Sequence, residues 1–312
     1  MKISRISSIS YFVVLLLASV TLWVGCDPNS FQKDIEVDIP DHSPQLAVSS
    51  HLTQGAASVL VYVNSSLGVL SSENLEGLKD AMVTLEINGE TRTLPYLYDP
   101  ISSFAYPEGT YGITGLDAEE LASGNYELKI SAPGFDAISA QQTMSKAVKL
   151  TNAEYLANDS NEGEGLMTFE FTDPSGDENY YAFDAVFYTR TSDGATYNQK
   201  AIFDVDEETL EGEFTAIGPI VADQTFDGQS NRITFNTFGE YAGWGQDIEE
   251  RYVLVILRSI SEDKFRFFRS LERYENSVDN PFAEPVIIHD NINSGYGVFT
   301  TETRDTIKII LE

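Results

Sequence analysis

The sequence predicts a mainly β chain: an N-terminal β-sandwich at residues 45–150, then a second antiparallel β domain at residues 151–312 carrying one amphipathic helix. Three observations carry this prediction. From Leu46 onward, Val, Ile, Leu, Tyr and Phe recur with a period of two in short runs, the pattern that sends alternate side chains to opposite faces of a strand. Clusters of Gly, Pro, Asn and Asp separate the runs at intervals suited to hairpins. One stretch, Ser261 to about Val278, switches to spacings of three and four, which is the helical period.

Residues 1–25 read as a leader outside the fold. Lys2 and Arg5 precede the apolar run Tyr11–Val24, which is shorter than the roughly 20 residues a spanning helix needs. Val24-Gly25-Cys26 closes the run, and Cys26 is the only cysteine in the chain. A small residue before a cysteine at this place resembles the lipobox of bacterial lipoproteins, with Trp23 where leucine is usual. That resemblance implies cleavage before Cys26 and acylation of its thiol, an anchor that needs no spanning helix. It leaves no thiol for disulfides, zinc or nucleophilic chemistry. Residues 26–44 are polar, acidic and proline-punctuated, and so read as a tether. Within it Lys33-Asp34 and Glu36 resemble the surface-export signals of Bacteroidetes lipoproteins. The net charge of −30 becomes more negative when Lys2 and Arg5 leave, which argues against nucleic acid and against adsorption to anionic lipid.

Six strands are expected in the first domain: LAVSSHL, SVLVYVN, MVTLEI, TRTLPYL, NYELKIS and AISAQQT. Asn88-Gly89 between the third and fourth supplies a type I′ turn, because both central positions need positive φ. The acidic, Asn-rich segment Asn152–Glu164 reads as a break between domains. Beyond it come LMTFEFTD, NYYAFDAVFYTR, TYNQKAIFDV, GEFTAIG, NRITFNTF and YVLVILRSI, with a turn in TDPSGDENYY. In the helix, Ser261 is the expected N-cap, and Glu262 and Asp263 suit the positive end of the dipole. Phe268, Leu271, Tyr274 and Val278 should line one face against the sheet. PVIIH reads as a short strand, Asn293-Ser294-Gly295 as a turn, and TRDTIKIIL as the last strand.

The order G-x-Y, a polar insertion, then S-G-x-Y-x-L-x-I-x-A-x-G-F across residues 109–135, with the entry Lys79–Val83, resembles the transthyretin-like regulatory domain of carboxypeptidases. A transthyretin/Ig-like β-sandwich without catalysis of its own is what that resemblance implies. Further on, Asp223-x-x-Phe226-Asp227-Gly228, LRSIS, FRFFRSLERYE, NPFAEP and Asn291-Ile292-x-Ser294-Gly295-Tyr296-Gly297-Val298-Phe299 follow one another. Together with the lipobox and acidic lead, this order resembles the Bacteroidetes outer-membrane lipoproteins of the domain of unknown function 4249 family. The resemblance implies a lipid-anchored outer-membrane protein, facing periplasm or cell surface, often encoded beside a TonB-dependent receptor. No catalytic residue comes with it.

The residues themselves offer few chemical candidates. His289-Asp290 holds the raw material of a triad or a metal site, but neighbours on a strand point to opposite faces, and no HExxH or GxSxG occurs. His289 therefore reads as a surface or turn residue. DVDEETLEGE (Asp204–Glu213) and NDSNEGE (Asn158–Glu164) hold oxygen ligands for calcium without EF-hand spacing, and hairpin tips made soluble by carboxylates explain them as well. Paired carboxylates for glycoside hydrolysis cannot be singled out among 49 acidic residues. Tyr241 and Trp244, set among glycines, are the candidate contact for a ligand or partner. The expectation is a non-enzymatic lipoprotein with no catalytic residue, metal or cofactor, lipidated at Cys26 and acting as partner of a TonB-dependent transporter. The alternatives are a surface adhesin or envelope scaffold that binds glycan or protein, and a carboxylate-dependent hydrolase.

Overall fold

The computed structural model describes residues 42–68, 71–87, 89–98, 106–158, 163–204, 213–239, 247–278, 280 and 282–311. The chain divides into the units Met1–His42 and Ser43–Glu312, and only the second is considered below. Its strands are β1 (Leu46–Thr53), β2 (Ser58–Ser65), β3 (Met82–Ile87), β4 (Glu90–Leu94), β5 (Thr110–Thr114), β6 (Asn125–Ser131), β7 (Ile138–Thr143) and β8 (Leu150–Ala157). There follow β9 (Glu164–Thr172), β10 (Tyr180–Thr191), β11 (Thr196–Lys200), β12 (Ile202–Asp204), β13 (Glu213–Thr215), β14 (Gly218–Ala222), β15 (Ser230–Phe238) and β16 (Ile248–Ile260). Helix α1 (Glu262–Val278), β17 (Tyr296–Leu311) and a 3-10 turn at Asp223–Thr225 complete the described elements.

A nine-stranded sheet runs in the order β13-β14-β10-β16-β17-β1-β2-β5, with β11 also paired to β10. Two four-stranded sheets, β4-β3-β6-β7 and β12-β15-β9-β8, cover one of its faces. The first closes a core of Val48, Leu52, Val61, Leu85, Leu128 and Phe299. The second closes an aromatic core in which Phe169 meets Phe183 edge-on at 5.0 Å and Phe235 at 5.8 Å. Helix α1 lies on the opposite face, where Phe268 packs with Ala182, Ile220 and Ile260. The architecture is thus mainly β and sandwich-like.

Most expected strands form, and the departures have local causes. Segment 152–164, expected as a break, contributes to β8, because Leu150 and Ala153 point into the aromatic core between exposed neighbours. TYNQKAIFDV splits after Lys200: β11 stays with β10, while β12 crosses to β15. Residues 284–290 form no strand. Pro285 has no N–H to give, and the segment is tied to the helix instead through His289 N donating to Ser270 Oγ at 2.8 Å. The β3–β4 turn is as short as expected, with Ile87 facing Glu90 and Gly89 at φ 89°.

The last strand joins the two halves. Its residues Tyr296–Glu302 pair in parallel with Ala47–Thr53, and Glu302–Leu311 pair antiparallel with β16. Before β16 takes over, Asn291 closes the open edge: its Oδ1 accepts from Phe299 N at 2.9 Å and its Nδ2 donates to Phe299 O at 2.8 Å. The approach of β1 to β17 needs a glycine, since a Cβ on Gly297, at φ +111°, would stand 1.9 Å from Val48 O. Gly297→Ala is expected to lower unfolding stability by about 3 kcal/mol in urea titration, whereas Gly89→Ala, open to solvent, should lower it by about 1 kcal/mol.

Candidate functional site

Three clusters of polar side chains stand out among the described residues. The first surrounds Glu302, which is inaccessible to solvent on the helix side of the nine-stranded sheet. Ser261 caps α1, its Oγ accepting from Lys264 N at 3.3 Å. That sets Lys264 in the first turn, where its Nζ donates to Glu302 Oε2 at 2.6 Å. Thr53 Oγ1 donates to Glu302 Oε1 at 3.1 Å, Arg304 pairs with the same oxygen, and Arg258 stands at 3.9 Å from the other. Arg258 also pairs with buried Asp184. Burial opposes the Glu302 charge, but Lys264, Arg258 and Arg304 outweigh it and hold the carboxyl at about 2. A carboxylate so fully engaged can neither take up a proton near neutrality nor reach a ligand.

The second cluster contains His289. Its ring does not meet Asp290, which is exposed; Nε2 faces Asp263 Oδ1 at 2.7 Å. Asn291 Nδ2 and Gln142 Nε2 donate to the other oxygen of Asp263, at 3.0 and 2.5 Å. Burial raises the Asp263 carboxyl, yet the hydrogen bonds from His289, Asn291 and Gln142 prevail and keep it below its ordinary range. This histidine, expected at a surface or turn, is half-buried and joins β7, the start of α1 and the segment after it. Spacing of 26 residues hid the pair from a reading that compared His289 with its neighbour.

The third cluster brings Asp173, Asp223 and Asp227 together, with ligand-capable oxygens all within 4.8 Å. Asp173 Oδ2 accepts from Gly228 N at 2.8 Å, and its Oδ1 accepts from Tyr181 Oη. Asp223 Oδ2 accepts from Asn179 N, and Asp227 Oδ1 from Gly176 N, at 2.8 and 2.9 Å. Burial and the two neighbouring carboxylates push the Asp223 carboxyl above its ordinary range. An oxygen-only set of this kind suits a hard cation. The hydrogen bonds give it a function without one, clasping the β9–β10 connection to the β14–β15 connection. The signal was in the sequence as TDPSGDEN and DQTFDG, two turn motifs that only the fold brings side by side.

Cys26, Tyr241 and Trp244 lie outside the described residues, as do most of Asp204–Glu213 and the middle of Asn158–Glu164. Among the described residues no helix is long and apolar enough to cross a membrane.

The Glu302 cluster makes two predictions. Lys264→Met, which removes the most deeply buried cationic partner of Glu302, is expected to cost about 3 kcal/mol in denaturant unfolding. Because the folded Glu302 carboxyl is held near 2 against an ordinary 4.5, its contribution is present above pH 4.5 and is lost as pH falls toward 2. In Glu302→Gln that part of the acid dependence should be missing from a stability-versus-pH curve.

No curated protein is significantly similar to the chain. Among solved structures, a beta-glucuronidase from glycoside hydrolase family 2 is similar at 11% identity and a TM-score of 0.21, over 82% of this chain and 22% of that one. The chain thus spans about a fifth of that enzyme, and a likeness so slight carries no argument about activity. The family model described as Domain of unknown function (DUF4249) matches residues 32–308, so the chain belongs to that family.

Proposed function

We propose that the protein is a non-enzymatic outer-membrane lipoprotein of the Bacteroidetes type, anchored through acylated Cys26 and serving as accessory or partner subunit of a TonB-dependent transporter in nutrient uptake. The carrying observation is Val24-Gly25-Cys26 at the end of the Tyr11–Val24 apolar run, ahead of an acidic lead and of a β unit that belongs to DUF4249. Cys26 is the chain's single cysteine, so its acylation would leave no thiol for disulfides, metal or nucleophilic chemistry. Strands β1 to β7, in two sheets around one core, support reading residues 45–150 as a transthyretin/Ig-like spacer or binding module. The polar clusters support the non-enzymatic part of the reading, since the Glu302, Asp263 and Asp173 carboxylates each join elements of the fold. The transporter link rests on the family resemblance.

Cys26→Ala is expected to move the protein from the membrane fraction to the soluble fraction of its native host; continued anchoring would contradict the lipid attachment. Affinity purification of the tagged wild-type protein in mild detergent should recover a TonB-dependent receptor in comparable amount. Recovery of the protein alone would overturn the transporter reading.

A further inference from the structure

The apolar stripe of α1 outruns the sheet that it packs on. Phe268 is buried and Leu271 joins the helix-side core, but Tyr274 and Val278, expected on the same packed face, are 43% and 62% exposed. The chain then turns and comes back beside the helix. Asn280 N donates to Ser277 O and Ala283 N to Asn280 O at the turn, and His289 N reaches Ser270 Oγ two turns before the helix end. Along this return Phe282 is 93% exposed and Ile287 88%. Single exposed apolar side chains are ordinary on any surface. Four on one short hairpin, two of them almost wholly in water, are a concentration that folding of this chain does not use.

The return segment is anchored at its C-terminal end: His289 bonds Asp263, Asn291 bonds the Phe299 backbone, and Pro285 restricts the backbone ahead of them. Binding through it would order less chain than binding through a segment without these anchors. Charge indicates what it binds. Glu272, Glu275, Glu284 and Asp290 lie on or beside the hairpin against Arg269 and Arg273, in a chain of net charge −30. An anionic lipid surface and a second copy of this chain share that sign. So does the lead, where Asp27, Asp34, Glu36, Asp38 and Asp41 outnumber Lys33. A surface with apolar pockets rimmed by lysine and arginine is complementary in both respects.

We propose that the exposed hairpin formed by the last turns of α1 and residues 282–289 is a docking surface for a partner protein whose apolar pocket is rimmed by basic side chains. Phe282 and Ile287 are the anchors, Tyr274 and Val278 widen the contact, and the carboxylates set orientation. This deepens the partner reading given above and rests on it.

The test uses the full-length lipidated protein in its native host, with benzoylphenylalanine in place of Phe282 or Ile287 and, as control, in place of exposed Leu75. Irradiation followed by mass spectrometry identifies the captured peptide. The expected product at 282 and 287, absent at 75, is a second protein joined through a peptide containing Lys or Arg, in a yield that falls as salt is raised. The double variant Phe282→Ser/Ile287→Ser should keep the wild-type melting temperature, since both side chains lie in water, and should lower recovery of that protein by about tenfold. Capture of lipid, of a second copy, of residues 26–41 or of nothing would overturn the surface; if the wild type still recovered a TonB-dependent receptor, the partner reading would survive. Capture of a basic-rimmed envelope protein other than a transporter would uphold the surface and overturn the transporter reading.

Discussion

Glu302 stands at the position of β17 that pairs with β1 on one edge and with β16 on the other, and it arrives there charged and without solvent. Two consequences follow from that placement. A buried carboxylate is tolerable only with partners, so the first turn of α1 must deliver Lys264, β16 must deliver Arg258, and β1 must deliver Thr53. The helix, the strand before it and the first strand of the fold are thereby fixed relative to a single side chain. The parallel pairing of β1 with β17 then makes one sheet out of two halves that each possess a hydrophobic core. Gly295 and Gly297 permit the close approach, as side chains there would run into Leu46 O and Val48 O.

Much of this was legible where local physics decides. Period-two alternation located most strands, Asn88-Gly89 located a hairpin, and Ser261 with Glu262 and Asp263 located the start of the helix. Where tertiary placement decides, local pattern misled. Leu150 and Ala153 look like the entry to an acidic break until the aromatic core behind them is known. Tyr274 and Val278 continue the helical stripe faultlessly, yet the sheet beneath them has ended. Of the candidate site, the sequence showed the ingredients and not the pairings. His289 belongs with Asp263 and not with its neighbour Asp290; TDPSGDENYY, expected as a turn, and Asp223–Gly228, a part of the family motif, meet only in space. The Glu302 cluster left no signal, because the expected last strand TRDTIKIIL begins at Thr303 whereas the strand runs from Tyr296, and the partners of Glu302 come from distant segments.

The family motif near the C-terminus now has a physical meaning. Asn291 replaces a missing strand neighbour, Ser294 at φ 65° turns the chain, and Gly297 lets β1 approach. These are requirements of assembly, which is why a motif so recognisable discloses no activity. What the fold leaves for interaction lies on its outside, where Phe282 and Ile287 stand in water beyond the end of α1.

The fold depends most on β17 making the two halves one cooperative body, and scanning calorimetry of residues 27–312 tests that directly. A single transition, with calorimetric and van't Hoff enthalpies equal, is the predicted result. Two resolved transitions, one for each hydrophobic core, would contradict it.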